Sequence, residues 1–266
     1  MKKIFLIICT ALLISGCGGG HSNNLNDNGG DLKKIVIGLD DEFAPMGFRD
    51  KNGQITGFDV DLAKEVAGRM NVAIEFKPID WHKKREAITS GDIDMIWNGL
   101  DITDERKEYM IFTKPYMDDR QILMVKKDND QGIRSEGDLE GKRIGVQAGS
   151  IAENYIDDNA ILKNEFKELK TYNKFQDALD ALNGDAIDVF ICDELVARYE
   201  MRQHPDQFEI IDVRTGYVTE MAVGFRKDNT ALRDRVQQAF NEMVKDGTAR
   251  KISEQWFQAD LLKLQK

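Results

Sequence analysis

The sequence predicts an α/β fold made of two lobes of related architecture. Short apolar runs of strand length alternate with amphipathic stripes of helical period along the chain, the α/β signature. One seven-residue phrase, which closes a helix and opens a strand, occurs twice. Gly91-Asp92-Ile93-Asp94-Met95-Ile96-Trp97 returns as Gly184-Asp185-Ala186-Ile187-Asp188-Val189-Phe190, 94 positions later when Asp94 is matched to Asp188. About 235 residues follow the N-terminal segment, a length that suits one large domain or two lobes.

In chain order, Lys2 and Lys3 form a positive start and residues 4–14 a short apolar run. That run is too short to span a bilayer core of ~30 Å, so residues 1–16 read as a signal peptide. Ile14-Ser15-Gly16-Cys17 resembles the bacterial lipobox, which implies diacylation of Cys17 and a membrane contact through that anchor only. Residues 17–32, rich in Gly, Asn and Ser, read as a flexible tether that buries no core. Residues 35–39 form the first strand. A helical stripe over 58–70 (Leu62, Ala63, Val66, Ala67, Met70) follows, with Asp59 as its expected N-cap. Residues 72–76 alternate as a strand, 81–90 read as a helix closed by Gly91, and 94–97 as a buried strand.

Residues 121–125 and 221–225 are apolar strands placed where the chain would cross between lobes. The expected division is 33–117 with 221–266 for the first lobe and 118–220 for the second. Residues 143–146 form a strand before a Ser150/Glu153 capping box, and 189–191 a strand before a helix over 194–199. The C-terminal helices fall at 232–244, with the stripe Val236, Ala239, Phe240 and Met243, and at 248–257.

Composition removes several classes of function. There are 37 basic and 47 acidic residues, a formal charge of −10 that deepens to −12 once Lys2 and Lys3 leave with the signal. Such a balance disfavours nucleic acid and anionic membrane surfaces. Cys9 lies in the signal and Cys17 at its end, leaving Cys192 alone in the folded part, so no internal disulfide is expected. His21, His82 and His204 have no ligand-spaced partners, and no phosphate-binding glycine loop opens a helix. No metal and no cofactor are expected.

The run Gly57-Phe58-Asp59-Val60-Asp61-Leu62-Ala63-Lys64-Glu65-Val66-Ala67 resembles the signature of the family 3 bacterial solute-binding proteins, which serve polar amino acid ABC importers. Residues 40–48, 97–106, 112–116, 145–150 and 188–193 and the Trp256-Phe257 ending agree with that family in order and spacing. The resemblance implies a type II periplasmic-binding-protein fold, with two Rossmann-like lobes, two hinge strands and closure over the ligand. It implies a free amino acid and the permease subunits of an ABC transporter as partners, and no catalysis. The chain is expected to act as a monomer.

A free amino acid needs a cation for its carboxylate, an anion for its ammonium and walls for its side chain. Arg106 could hold the carboxylate with its planar fork, although the charged run 104–108 equally fits a solvated arginine. The resemblance assigns it the ligand. Ser150 and Ile151 open a helix whose free N–H groups suit a carboxylate, and the family places that turn opposite the arginine. Asp193, at the end of its strand, is the implied ammonium partner, with Asn98 and Gly99 as backbone partners. As a residue it could also cap the helix after it. Asp101 departs from the Ser or Thr usual in the family, and either takes part of the ammonium or points away. Phe43 and Trp81 are the implied aromatic walls. The resemblance implies that Asp40 meets the ligand side chain, with Gln147 at the second-lobe position facing it. Asp40, Asp41, Glu42 and Asp101 would give an acidic rim that favours a polar or cationic amino acid. The other reading is an enzyme on the same scaffold, such as a small-molecule dehydratase using His82 or Glu194.

Overall fold

The computed structural model describes residues 34–128 and 131–263; the signal, Cys17 and the whole of the tether lie outside them, as does Lys33. The first stretch holds β1 (Lys34–Leu39), β2 (Glu42–Phe43), β3 (Gly47–Arg49), β4 (Ile55–Thr56), α1 (Phe58–Met70) and β5 (Ala73–Pro78), then α2 (Lys84–Ser90), β6 (Met95–Ile96), α3 (Asp104–Lys107) and β7 (Met110–Phe112). Next come β8 (Met117–Lys126), β9 (Arg143–Gln147), α4 (Ile151–Asp158), α5 (Ala160–Glu165) and β10 (Glu168–Tyr172). They are followed by α6 (Phe175–Asn183), β11 (Val189–Asp193), α7 (Glu194–Gln203) and β12 (Phe208–Met221). Last are β13 (Gly224–Arg226), α8 (Thr230–Asp246) and α9 (Thr248–Phe257).

The strands form two five-stranded sheets of one design. The first runs β5-β1-β6-β13-β7 and the second β10-β9-β11-β8-β12. In each, the first three strands are parallel and the last two antiparallel. The repeated phrase sits at the same joint of both. Asp94 accepts a hydrogen bond from Val36 N at 2.8 Å, and Asp188 accepts one from Arg143 N at 2.7 Å. Each aspartate thus satisfies an N–H near the start of the neighbouring parallel strand. A Cβ added to Gly38 would stand 2.4 Å from Ile93 Cδ1, and one added to Gly145 2.4 Å from Ile187 Cδ1. The Ile of each phrase therefore fills the space that a glycine leaves in the strand beside it.

β8 and β12 pair antiparallel down to Met117↔Met221, where the chain passes between the sheets. Two expectations change here. The run 221–225 is not one strand: β12 ends at Met221 and β13 begins at Gly224. β12 itself starts at Phe208; its register shifts around Thr215 and Gly216 break the alternation that would reveal it. At the crossing, Lys263 N donates to Tyr116 O at 2.7 Å, and its ammonium bonds Asp118 on one strand and Glu220 on the other.

Helices α8 and α9 pack on α1, whose stripe Leu62, Ala63, Val66 and Ala67 is buried. Asp59 is not the cap of α1. Gly57 holds that position, with φ 143°, and Asp59 is fully buried inside the first turn. Its carboxylate accepts from Gly99 N at 2.6 Å and from the Tyr116 hydroxyl at 2.9 Å. Burial pushes this carboxyl up to about 7. The expected helix over 81–90 is a 3₁₀ turn at Trp81–Lys83 followed by α2, closed by left-handed Gly91.

Candidate functional site

The two sheets present their strand ends to a cleft, and side chains from both lobes close a small pocket there. It is lined by Asp40, Phe43, Trp81, Gly99, Asp101 and Arg106 from the first stretch and by Gln147, Ser150, Ile151 and Asp193 from the second. Asn98 is the one expected site residue outside this lining. It is fully buried, and its Oδ1 accepts from Asp40 N at 2.9 Å, so it braces the turn after β1.

Arg106 stands in α3, where Thr103 caps the helix by accepting from Arg106 N at 3.1 Å. Its guanidinium is buried, with the residue only 1% exposed. Nη1 donates to Asp101 O at 2.8 Å, Nη2 donates across the cleft to Gly149 O at 3.2 Å, and Nε has no partner. A buried guanidinium with an unused donor is costly unless an acceptor arrives, and a carboxylate matches its fork. Opposite it, Ser150 caps α4 by accepting from Glu153 N at 3.1 Å. The capping box is only half formed. The Glu153 carboxylate accepts from Gly149 N at 2.6 Å, while Ser150 N is taken by Gln147 O.

The acidic side of the pocket is formed by Asp101 and Asp193. Asp101 accepts from the Thr219 hydroxyl at 2.6 Å and lies 3.9 Å from Arg106 Nη1, so its carboxylate faces inward. Burial, reinforced by Asp193, pushes it up to about 7. Asp193 does not cap α7: its side chain makes no cap hydrogen bond and instead accepts from Gln121 Nε2. Burial raises its carboxyl as well.

At the other end, Phe43 meets Phe175 edge-on across the cleft, with centroids 5.8 Å apart. Asp40 and Gln147 join the lobes by a 2.6 Å hydrogen bond from Gln147 Nε2. Burial raises the Asp40 carboxyl. Gly99, with φ 57°, leaves room for Phe43, whose Cε1 would lie 3.0 Å from an added Cβ. The acidic rim does not form. Asp41 pairs with Arg49, Glu42 pairs with Lys174 across the cleft, and Asp101 is buried at the opposite end.

Two further residues belong here. Lys84 is buried, its Nζ 5.2 Å from the Trp81 ring centre, and donates to Trp81 O at 3.2 Å and to Gly149 O at 2.8 Å. In the basic run 82–85 nothing distinguishes it from its neighbours. Asp119 is on β8, where Met117, Asp119 and Gln121 share the buried face of the strand. Asp101, Asp119 and Asp193 bring oxygens within 4.8 Å of one another, a spread that would suit a cation. Gln121 Nε2 already donates to the last two, which occupies oxygens an ion would take.

With this geometry in place, the comparisons with known proteins decide the family. The sequence profile of the Bacterial extracellular solute-binding proteins, family 3, matches residues 35–259. The chain belongs to this family. Among family 3 relatives, it is 32% identical over 232 residues to the L-cystine-binding protein TcyJ of Escherichia coli (strain K12), covering 86% of this chain and 84% of TcyJ. An ABC uptake transporter substrate-binding protein from Streptococcus pneumoniae with bound histidine superposes with a TM-score of 0.82 at 37% identity, covering 87% of this chain and 95% of that one. The ancestral amino acid-binding protein AncCDT-1, a precursor of cyclohexadienyl dehydratase, superposes with a TM-score of 0.77 at 31% identity, covering 84% and 95%. The family 3 fold is that of the type II periplasmic binding proteins, and its members are extracytoplasmic.

Proposed function

We infer that this chain is the substrate-binding component of an amino acid ABC importer and captures a free L-amino acid between its lobes. The observation that carries this is Arg106: a buried guanidinium with an unused Nε, facing Asp101 and Asp193 across one small pocket. Opposite charges so placed suit a zwitterion, its carboxylate on Arg106 and the Ser150–Ile151 turn, its ammonium on Asp193 and Asp101. Gly99 lines the pocket beside them, whereas Asn98 acts from behind. Phe43 and Trp81 flank the side chain, and Asp40 with Gln147 offers it a polar end, which favours polar or cationic ligands. Contacts from both lobes stabilise the closed form, which the permease then recognises. We assign residues 33–117 with 221–266 to one lobe and 118–220 to the other, with Cys17 as the lipid anchor of a monomer.

An enzyme on this scaffold is the second reading, favoured by the likeness to a dehydratase precursor. Against it, Glu194 is held by both Arg120 and Arg198, and no His, Cys or Lys is among the described residues lining the pocket.

The test is melting temperature against the twenty amino acids plus cystine and ornithine. Ligand at ~100 times its Kd adds ~2.7 kcal/mol. A shift for one or a few L-amino acids, lost in Arg106→Ala, supports importer binding. A folded chain that responds to none refutes it.

A further inference from the structure

Asp119 does not line the pocket but lies directly behind its acidic side. It shares a face of β8 with Gln121; Gln121 is paired with Asp193 on β11, and Asp119 with Thr219 on β12. The Gln121 amide donates to Asp119 and Asp193, and the Thr219 hydroxyl donates to Asp101. Each of the three carboxylates has an oxygen within 4.8 Å of the others. Asp119 is 3% exposed, and its Oδ1 has no partner.

We propose that Asp119 completes a proton-sharing three-carboxylate cage with Asp101 and Asp193, and that the cage releases protons when the primary ammonium of the ligand settles on Asp101 and Asp193. This rests on reading the pocket as an amino-acid site. A zwitterion's ammonium needs one counter-charge; this site holds three. Three carboxyls so close in a pocket with little water do not all ionise, so the ligand-free cluster shares protons. The –NH₃⁺ group of the ligand meets Asp101 and Asp193, whose carboxylates line the pocket, and acts on Asp119 through them. Its arrival favours full ionisation: each O–H bond of a carboxylic acid that breaks sends its proton to solvent, while the ammonium keeps its own three.

The charges facing the cage fit this exchange. Arg106 acts on Asp101 and Asp193, and Lys84 senses Asp101 from α2. The Tyr116 hydroxyl and Cys192 thiol are pushed up by burial and stay neutral. Arg120, on the opposite face of β8, is engaged by Glu194. Burial raises all three cage carboxyls, with Asp119 well above the usual carboxylate range. One consequence follows. Affinity weakens as pH falls, by up to about tenfold per unit for each proton displaced.

Calorimetric titration in phosphate and in Tris at pH 6.5 tests the proposal, using whichever L-amino acid gives the largest melting shift. The heats should differ by the release of on the order of one proton per ligand. Asp119→Asn should release fewer and flatten the dependence of Kd on pH; Asp119→Ser serves if the first variant melts below the titration temperature. Heats independent of buffer, or equal proton release from wild type and variant, overturn the cage while amino-acid binding stands. A folded chain that binds none of the amino acids overturns the importer reading instead.

Discussion

Arg106 is where one side chain decides most. It touches both lobes, and its Nε is unused. Truncating a buried charge that contacts a ligand charge costs about 2–5 kcal/mol. Arg106→Ala should therefore weaken amino-acid binding by about 30-fold or more, measured by titration calorimetry. Arg106→Lys should fall nearly as far, because an ammonium cannot reproduce the planar fork. Retention of affinity within about threefold by the lysine variant would remove Arg106 from the carboxylate. Arg106 and Asp193 are legible as pocket residues only through the family resemblance, because a charged run and a strand end by themselves fit a solvated arginine and a helix cap as well. Lys84 and Asp119 were not legible as site residues, since a basic run and a polar strand end hold many equivalent residues. Asp59 shows the converse, a residue placed like a cap whose carboxylate serves Gly99 and Tyr116 instead.

At the scale of elements, the repeated joint makes a paired prediction. Gly145→Ala puts a methyl 2.4 Å from Ile187 Cδ1, against a neighbour fixed at the mouth of β11. Overpacking of this kind costs about 1–3 kcal/mol. Ile187→Val in the same chain removes the clashing methyl and should recover part of the loss, read as non-additive shifts in the denaturation midpoint. Additive losses would mean that the contact is not what forbids a side chain there. Long, periodic elements such as α1 and α8 could be read from the sequence, and so could the repeated phrase, because each has a buried face with a clear period. β2, β3 and β4 could not, being two or three residues long. β10 has no buried residue and no regular alternation, so nothing makes it stand out.

For the whole molecule, buried acids set the dependence of stability on pH. Burial holds the carboxyls of Asp59, Asp101 and Glu200 at about 7, whereas the unfolded chain gives up such protons near 4. Between those values the folded state binds more protons, so stability falls as pH rises from about 5 to 7. Carboxyls held low, as at Asp246, lose their contribution only below about 4. Lys84, held down at about 7, acts above neutrality and in the opposite sense. The ligand-free protein should melt higher at pH 5.5 than at 7.5, by on the order of 5 °C, in scanning calorimetry. The reverse order would show that these acids are ionised in the folded state.

The β8–β12 crossing sets how the molecule can move as a machine. Two antiparallel strands hydrogen-bonded to Met117↔Met221 form a ribbon, and Lys263 ties Asp118 to Glu220 across it. Sliding one strand along the other would break its rungs together, whereas bending keeps them. Bending is then the motion expected between the lobes. One distance between a label on each lobe should serve as the full reaction coordinate, and a second pair should add no independent information.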